Sequence, residues 1–323
     1  MRSRNFVITA AILSVAAAGC ASSGSSNSAS AAKGCTSVSG GQLVVLTDDK
    51  NLQTVDNIIP AINAKKADAT LIGALDKVAV ALTTEKLIAL NKQTDIDRKS
   101  PQTVAAGFVS AESLGQGLSG GKGAIKVGAA NFSENQTLGN IYADVLKAAG
   151  YQASVQTIGN RELYEPALEK GEIDVVPEYA GTLTEFLNKK QNGASPAPKA
   201  SSNLDATVSA LTALGAKAGL KFGKPAQGAD QNAFAVSKAF ADKNGLKTLS
   251  DVAGKCNGGK LVLGGPPECK TRPFCEPGLA QKYSIKFTGF QTLDSGGPLT
   301  KTAIKTGKVQ MGLVFSSDGS LAG

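Results

Sequence analysis

The chain has neither histidine nor tryptophan, and only two methionines and five tyrosines in 323 residues. Without histidine there is no Ser/His/Asp triad, no Cys/His dyad and no His-ligated zinc. Asp48 and Asp49 do not fill that gap, because neighbours on an extended segment point to opposite faces and cannot share acid/base work. The expectation is a protein that is not an enzyme and holds no metal and no cofactor. Charge of one sign is also sparse: 34 Lys and Arg against 26 Asp and Glu give +8, with no run of five basic residues. That argues against nucleic acid as a partner. What is present, 42% hydrophobic and 19% charged residues with 37 glycines, describes a globular chain long enough for two domains.

Arg2 and Arg4 precede a small and apolar stretch over residues 6–18, ending in Ala17-Ala18-Gly19-Cys20. The stretch is too short to span about 30 Å of hydrocarbon as a helix. Small residues before a cysteine suit a lipoprotein signal cleaved at Cys20 after its thiol is lipidated; a plain secretory signal with an incidental cysteine is the alternative. Removing both arginines lowers the formal charge by two, to +6. Residues 21–34, almost all Ser, Ala, Gly and Asn, cannot bury a core and read as a tether. The expected location is the extracytoplasmic face of the cell membrane, held by the lipid anchor.

Four further cysteines remain, Cys35, Cys256, Cys269 and Cys275. An even count in an oxidising compartment favours two disulfides, with three pairings open from sequence. Cys269 and Cys275 enclose a short proline-flanked segment, so their closure is local and contributes about 2 kcal/mol. Cys35 with Cys256 follows by elimination. A metal site lacks both histidine and Cys-x2-Cys spacing.

From residue 125 the pattern predicts βαβαβ: strands over 125–128, 154–158 and 173–177, with helices after Ser133 and from Glu162. The first helix shows Leu138, Ile141, Tyr142, Val145 and Leu146 on one stripe, with Ser133 and Gln136 as a capping box and Gly150 closing it. A second series follows, with strands near 232–236, 260–263, 287–291 and 309–315. Before these, 43–46 reads as a strand, and 71–82 and 84–91 as helices. Such units imply two lobes, each a mainly parallel sheet flanked by helices. Residues 192–202 read as an exposed loop of the second lobe, and the glycine-rich 115–123 as a join between blocks.

Four blocks then become specific: Asn131-Phe132-Ser133-Glu134, Gly159-Asn160-Arg161-Glu162, Asp174-Val175-Val176-Pro177-Glu178-Tyr179-Ala180-Gly181-Thr182 and Phe315-Ser316-Ser317-Asp318-Gly319. In this spacing the chain resembles the substrate-binding proteins of glycine betaine/choline/proline-type (osmoprotectant) ABC importers, over nearly all of 42–319. The resemblance implies a two-lobed α/β fold of the periplasmic-binding-protein type II. It also implies a monomer that closes around one small-molecule solute and delivers it to ABC permease subunits. Residues 43–114, with Leu46-Thr47-Asp48-Asp49-Lys50, Asn57-Ile58-Ile59-Pro60 and Leu82-Thr83-Thr84-Glu85-Lys86, look like the family's carboxy-terminal segment placed first, a circular permutation. It predicts one continuous lobe over 54–184 and a second from 35–53 plus 185–323, with Cys35 near Cys256.

Candidate ligand residues follow strands, where open α/β sheets bind: Asn131, Phe132, Ser133 and Glu134; Asn160, Arg161 and Glu162; Tyr179 and Thr182. For Asn131 and Ser133 helix capping is the alternative, and for Arg161 and Glu162 a solvated helix start. Asn232 and Phe234 join the set from the second lobe, Phe234 standing where the family often has tyrosine. Asp56 and Asn57 are also candidates; the family often has an aromatic just before Asn57, where Val55 and Asp56 stand, and Asp56 faces a cation or sits on a surface loop. Ser316, Ser317 and Asp318 offer polar contacts or simple turn chemistry. Arg272, between Cys269 and Cys275, stands where the resemblance implies an arginine for a ligand carboxylate, to which a guanidinium offers a planar fork. The short supply of aromatics leaves a quaternary-ammonium cage incomplete and leaves glycine betaine, choline, carnitine and proline all open.

Overall fold

The computed structural model describes residues 34–320. The signal segment 1–20 with the lipidation site Cys20, and the tether up to residue 33, lie outside the described residues. In chain order the elements are β1 (Leu43–Val45), β2 (Ile58–Asn63), α1 (Ala69–Ala81), α2 (Thr84–Asp95), α3 (Pro101–Ala111), β3 (Ala124–Ala130), α4 (Ser133–Ala148), β4 (Gln152–Gly159), α5 (Arg161–Lys170), β5 (Val175–Tyr179), α6 (Ala180–Asn192) and α7 (Leu204–Lys217). They continue with β6 (Leu220–Phe222), β7 (Asn232–Ser237), α8 (Lys238–Asn244), α9 (Leu249–Cys256), β8 (Val262–Gly265), a 3-10 turn over Pro267–Lys270, α10 (Glu276–Tyr283), β9 (Gly289–Thr292), α11 (Pro298–Lys305) and β10 (Met311–Phe315). None of the described helices is long and apolar enough to cross a membrane.

The strands form two five-stranded sheets, one in the order β4-β3-β5-β2-β6, the other β9-β8-β10-β7-β1. Read this way the sheets match strand for strand: two parallel pairings, then two antiparallel ones. The two-lobed α/β architecture is as expected, but parallel pairings are half of each sheet and not most of it. The reason is that β2 and β7 each arrive from the other lobe and run against their neighbours. Both are buried on their two faces. Ile58 and Ile62 of β2 pack with α1 and α4, and Ile59 and Ala61 with α5 to α7.

Local chemistry sets the helix starts. Asp68, Thr83 and Ser100 accept backbone N–H bonds at the starts of α1, α2 and α3, and Pro101 opens α3 where its missing N–H is harmless. The expected capping box at Ser133 does not form. Phe132 is the N-cap of α4, and the Ser133 hydroxyl donates to Asp95 Oδ1 at 2.6 Å. The apolar stripe of α4, Tyr142 included, is buried as its period requires.

The predicted lobe boundary at residue 184 is corrected by packing. Leu183 and Leu187 of α6 and Leu211 and Leu214 of α7 bury against the first sheet, whose edge strand is β6. Each fully buried leucine contributes on the order of 2 kcal/mol, so α6, α7 and the loop over 192–202 belong to the first lobe. The first lobe therefore runs from β2 to β6. The second combines β1 with β7 to β10.

The chain crosses between lobes twice, over 46–57 and 223–231, and the two crossings lie side by side. Ile58 N donates to Gly228 O at 2.9 Å, Asp230 N to Asp56 O at 3.0 Å, and Gln231 Nε2 to Thr54 O at 2.6 Å. Both disulfides form, Cys35–Cys256 and Cys269–Cys275, and both lie in the second lobe.

Candidate functional site

The ends of β3, β4 and β5 in the first lobe face the ends of β8 and β10 in the second, with a cleft of about 510 Å³ between them. Its walls hold ten of the candidates. Asn131, Phe132, Asn160, Arg161, Glu162, Tyr179 and Thr182 come from the first lobe, Asp56 from a crossing, and Asn232 and Arg272 from the second. A smaller cavity of about 200 Å³ lies behind Phe132 and Phe315, and Ser133, Glu134, Ser317 and Asp318 line it.

The floor of the cleft is an internal ion pair. Arg161 is 5% exposed, and its Nε and one terminal nitrogen donate to the two oxygens of Glu178 at 2.8 and 2.7 Å. The same nitrogen reaches Thr182 Oγ1 at 2.9 Å, while Tyr164 donates to Glu178 at 2.9 Å. Burial works against the charge of Arg161, but the Glu178 carboxylate outweighs it and holds the guanidinium above its ordinary value. Arg161 thus braces β5 against α5 with three of its five N–H groups.

Asp56 is no surface-loop acid. It is 4% exposed, and its Oδ1 accepts the N–H groups of Gly181 and Thr182, both at 2.9 Å, where α6 begins. Burial pushes its carboxyl up to about 7, against the opposing pull of the Thr182 N–H and the Arg161 charge.

At the seam the lobes share a buried polar cluster. Glu134 Oε2 accepts from Asn91 Nδ2 and from the Ser317 hydroxyl, each at 2.6 Å, and its Oε1 accepts from the Tyr179 hydroxyl at 2.8 Å. Asp230 Oδ1 takes the Ser317 N–H at 3.1 Å and lies 2.7 Å from the same hydroxyl. One hydroxyl proton thus faces two buried carboxyl groups. Burial raises both acids, and for Asp230 the neighbouring Glu134 charge raises it further.

Arg272 bridges the mouth. Its Nε and a terminal nitrogen donate to the two oxygens of Glu162 in the opposite lobe at 3.1 and 2.8 Å. Burial raises the Glu162 carboxyl, yet the bonds and charge of Arg272 outweigh burial and hold it low. The Cys269–Cys275 disulfide closes the loop that carries Arg272.

Three candidates stand elsewhere. Phe234 is 2% exposed in the second core, on the same face of β7 as Asn232 but two residues, or about 7 Å, away from the cleft. Asn57 donates to Ala226 O at 2.9 Å and ties the two crossings together, and Ser316 accepts from Gln231 N at 2.8 Å and ties the second crossing to the end of β10. Asp318 pairs with Lys301 at 2.6 Å, both nearly buried. Sequence reasoning missed Phe315, Phe274, Asp230 and Lys189, which also line the cleft. Phe315 ends a strand at a position like that of Tyr179 and opens the block Phe315–Gly319, the signals that mark it.

Two similar lobes around one cleft with charges of both signs define a solute-binding protein. Residues 37–111 and 123–323 match the family described as the substrate binding domain of ABC-type glycine betaine transport system, and the chain belongs to that family. It is similar to the glycine betaine-binding protein YehZ of Escherichia coli (28% identical over 210 residues, 61% of this chain) and to a glycine-betaine-binding protein of Pseudomonas aeruginosa (28% over 228 residues, 67% of this chain). The chain spans 66% of the length of each. Among solved structures, apo YehZ aligns at 26% identity over 61% of this chain and 71% of that one, with a TM-score of 0.39. A glycine betaine/carnitine/choline ABC transporter structure aligns at 21% identity with the same coverages and TM-score.

Proposed function

We propose that the protein is an extracytoplasmic solute receptor. In this reading Cys20 carries the lipid anchor, and the cleft takes a small zwitterionic or quaternary-ammonium compatible solute for ABC permease subunits. The observation that carries it is charge of both signs on one cleft with aromatic walls. Asp56 lies toward the hinge and Arg272 at the mouth, with Phe132, Tyr179 and Phe315 among the lining residues. A zwitterion matches that arrangement, and closure of the lobes holds it without chemistry. A sensor lipoprotein using the same fold is the second reading, since fold does not fix the downstream partner.

The chain also reads as a circular permutation of the family order. β1 occupies in the second sheet the edge that β6 occupies in the first, while β6 follows β5 through α6 and α7. Opening the β10 to β1 connection and joining α3 to β3 through residues 112–123 produces this order.

A thermal-shift screen tests the receptor reading. At millimolar concentration one of betaine, choline, carnitine or proline should raise Tm, because binding to the folded state alone stabilises it. A flat response across these and polyols would reject the reading.

A further inference from the structure

Two acceptors in the cleft wall have no donor. Asn160 Oδ1 is buried without a hydrogen-bond partner, and although Asn160 is the N-cap of α5 its side chain makes no capping bond. Asp56 places Oδ1 on the start of α6, and among the described residues nothing donates to its Oδ2. Both residues line the cleft. The buried Asn160 oxygen is stable only when a donor reaches it, the ionised Asp56 oxygen is a further acceptor on the same wall, and a fully methylated ammonium has no N–H to give.

The aromatic side of the cleft agrees. The Phe132 ring lies 5.7 Å from Phe315 and 6.3 Å from Tyr179, centroid to centroid, with interplanar angles of 25° and 28°. Those are stacking distances between the rings themselves. Rings stacked at those distances leave no room for a trimethylammonium between their faces. The Tyr179 hydroxyl is turned to Glu134 and that of Tyr164 to Glu178.

We propose that the cleft selects a zwitterion whose cationic end carries N–H donors, such as a tertiary or secondary ammonium or a cyclic imino acid, over its fully methylated counterpart. Asp56 and Asn160 receive those donors, and the anionic end lies toward Arg272. This rests on the solute-receptor reading and narrows its ligand class.

Titration calorimetry on the full chain tests it with two pairs: N,N-dimethylglycine against trimethylglycine, which differ in one N–H, and proline against N,N-dimethylproline, which differ in two. In each pair the N–H-bearing member should bind about tenfold tighter or more, since a site built for a hydrogen bond rejects the ligand that lacks it. Asp56→Asn and Asn160→Leu should each bring the ratio toward one. Should Asp56→Asn fail to fold, the wild-type ratios and Asn160→Leu decide. Equal or tighter binding of the methylated members overturns the proposal and leaves the receptor reading intact. No binding by any of these, or by choline or carnitine, removes both.

Discussion

The two lobes share one strand pattern but are assembled differently. The first is a continuous stretch from β2 to β6 with no disulfide among its described residues; the second joins β1 to β7–β10 across most of the chain and contains both disulfides. Cys35 and Cys256 are 221 residues apart in sequence. The bond therefore ties β1's segment to the body of its lobe, where no short connection does so. The lesson is that a sheet specifies neighbours in space and is indifferent to their order along the chain, provided something restores the lost continuity.

The sharpest way to break the comparison is to remove that tie. Cys35→Ser with Cys256→Ser should lower unfolding free energy by about 5 kcal/mol on the loop-entropy argument, read by urea denaturation. The second lobe should lose hydrogen-exchange protection before the first. The local pair Cys269→Ser with Cys275→Ser should cost only about 2 kcal/mol. Equal losses from both double variants would show that the long bond does not replace chain continuity.

Between those effects stands Asp56, on the crossing that both lobes share. Its carboxyl rises from 3.8 to about 7 by burial, facing Arg161, Glu178 and Asp230 and accepting the Thr182 N–H. Between about pH 4 and 7 the folded chain thus keeps a proton that the unfolded chain has released. That contribution is fully present below pH 4 and is lost as pH rises through 7, on the order of 4 kcal/mol in all. Asp56→Asn should flatten this part of the stability profile, measured by urea midpoints at pH 4.5 and 7.5. A cationic ligand favours the ionised form, so its binding should release protons near pH 6; calorimetry in buffers of different ionisation heat reads this.

Smaller effects sharpen the picture at the mouth and at the join. Arg272→Ala should weaken carboxylate-bearing ligands about tenfold and spare choline, as the loss of one charge-assisted fork predicts; equal loss for both would make Arg272 a latch with Glu162 alone. A chain reopened within 115–123, with the segment after β10 linked to that before β1, should fold with a stability change of about 1 kcal/mol or less. Failure to fold would reject the permutation reading.

Much of this was legible from local pattern. The βαβαβ series, the stripe on α4 and the clustering of Asn131, Phe132, Asn160 and Tyr179 at strand ends follow from periodicity and from where open sheets bind. The pairing of Arg161 with Glu178 was not, because both belong to motifs that read equally as ligand contacts. Only their 2.7 Å approach in a buried site shows that they hold each other. Phe234 was misplaced for a geometric reason, since strand alternation assigns a face but not a depth along it. Asp230 escaped because it stands in no pattern of its own; Phe315 opens a block but acquires its role only from Phe132 in the other lobe.

Composition and periodicity by themselves determined the two α/β lobes, the absence of histidine chemistry and the even set of cysteines, because these depend on residue type and on neighbours within a turn or a strand. Tertiary structure alone decided where the lobes divide, which of the charged candidates line the cleft and which pair with each other, and that α6 and α7 belong to the first sheet. Those outcomes depend on long-range burial and on which carboxylate lies within 3 Å of which donor, and no local window of sequence contains that distance.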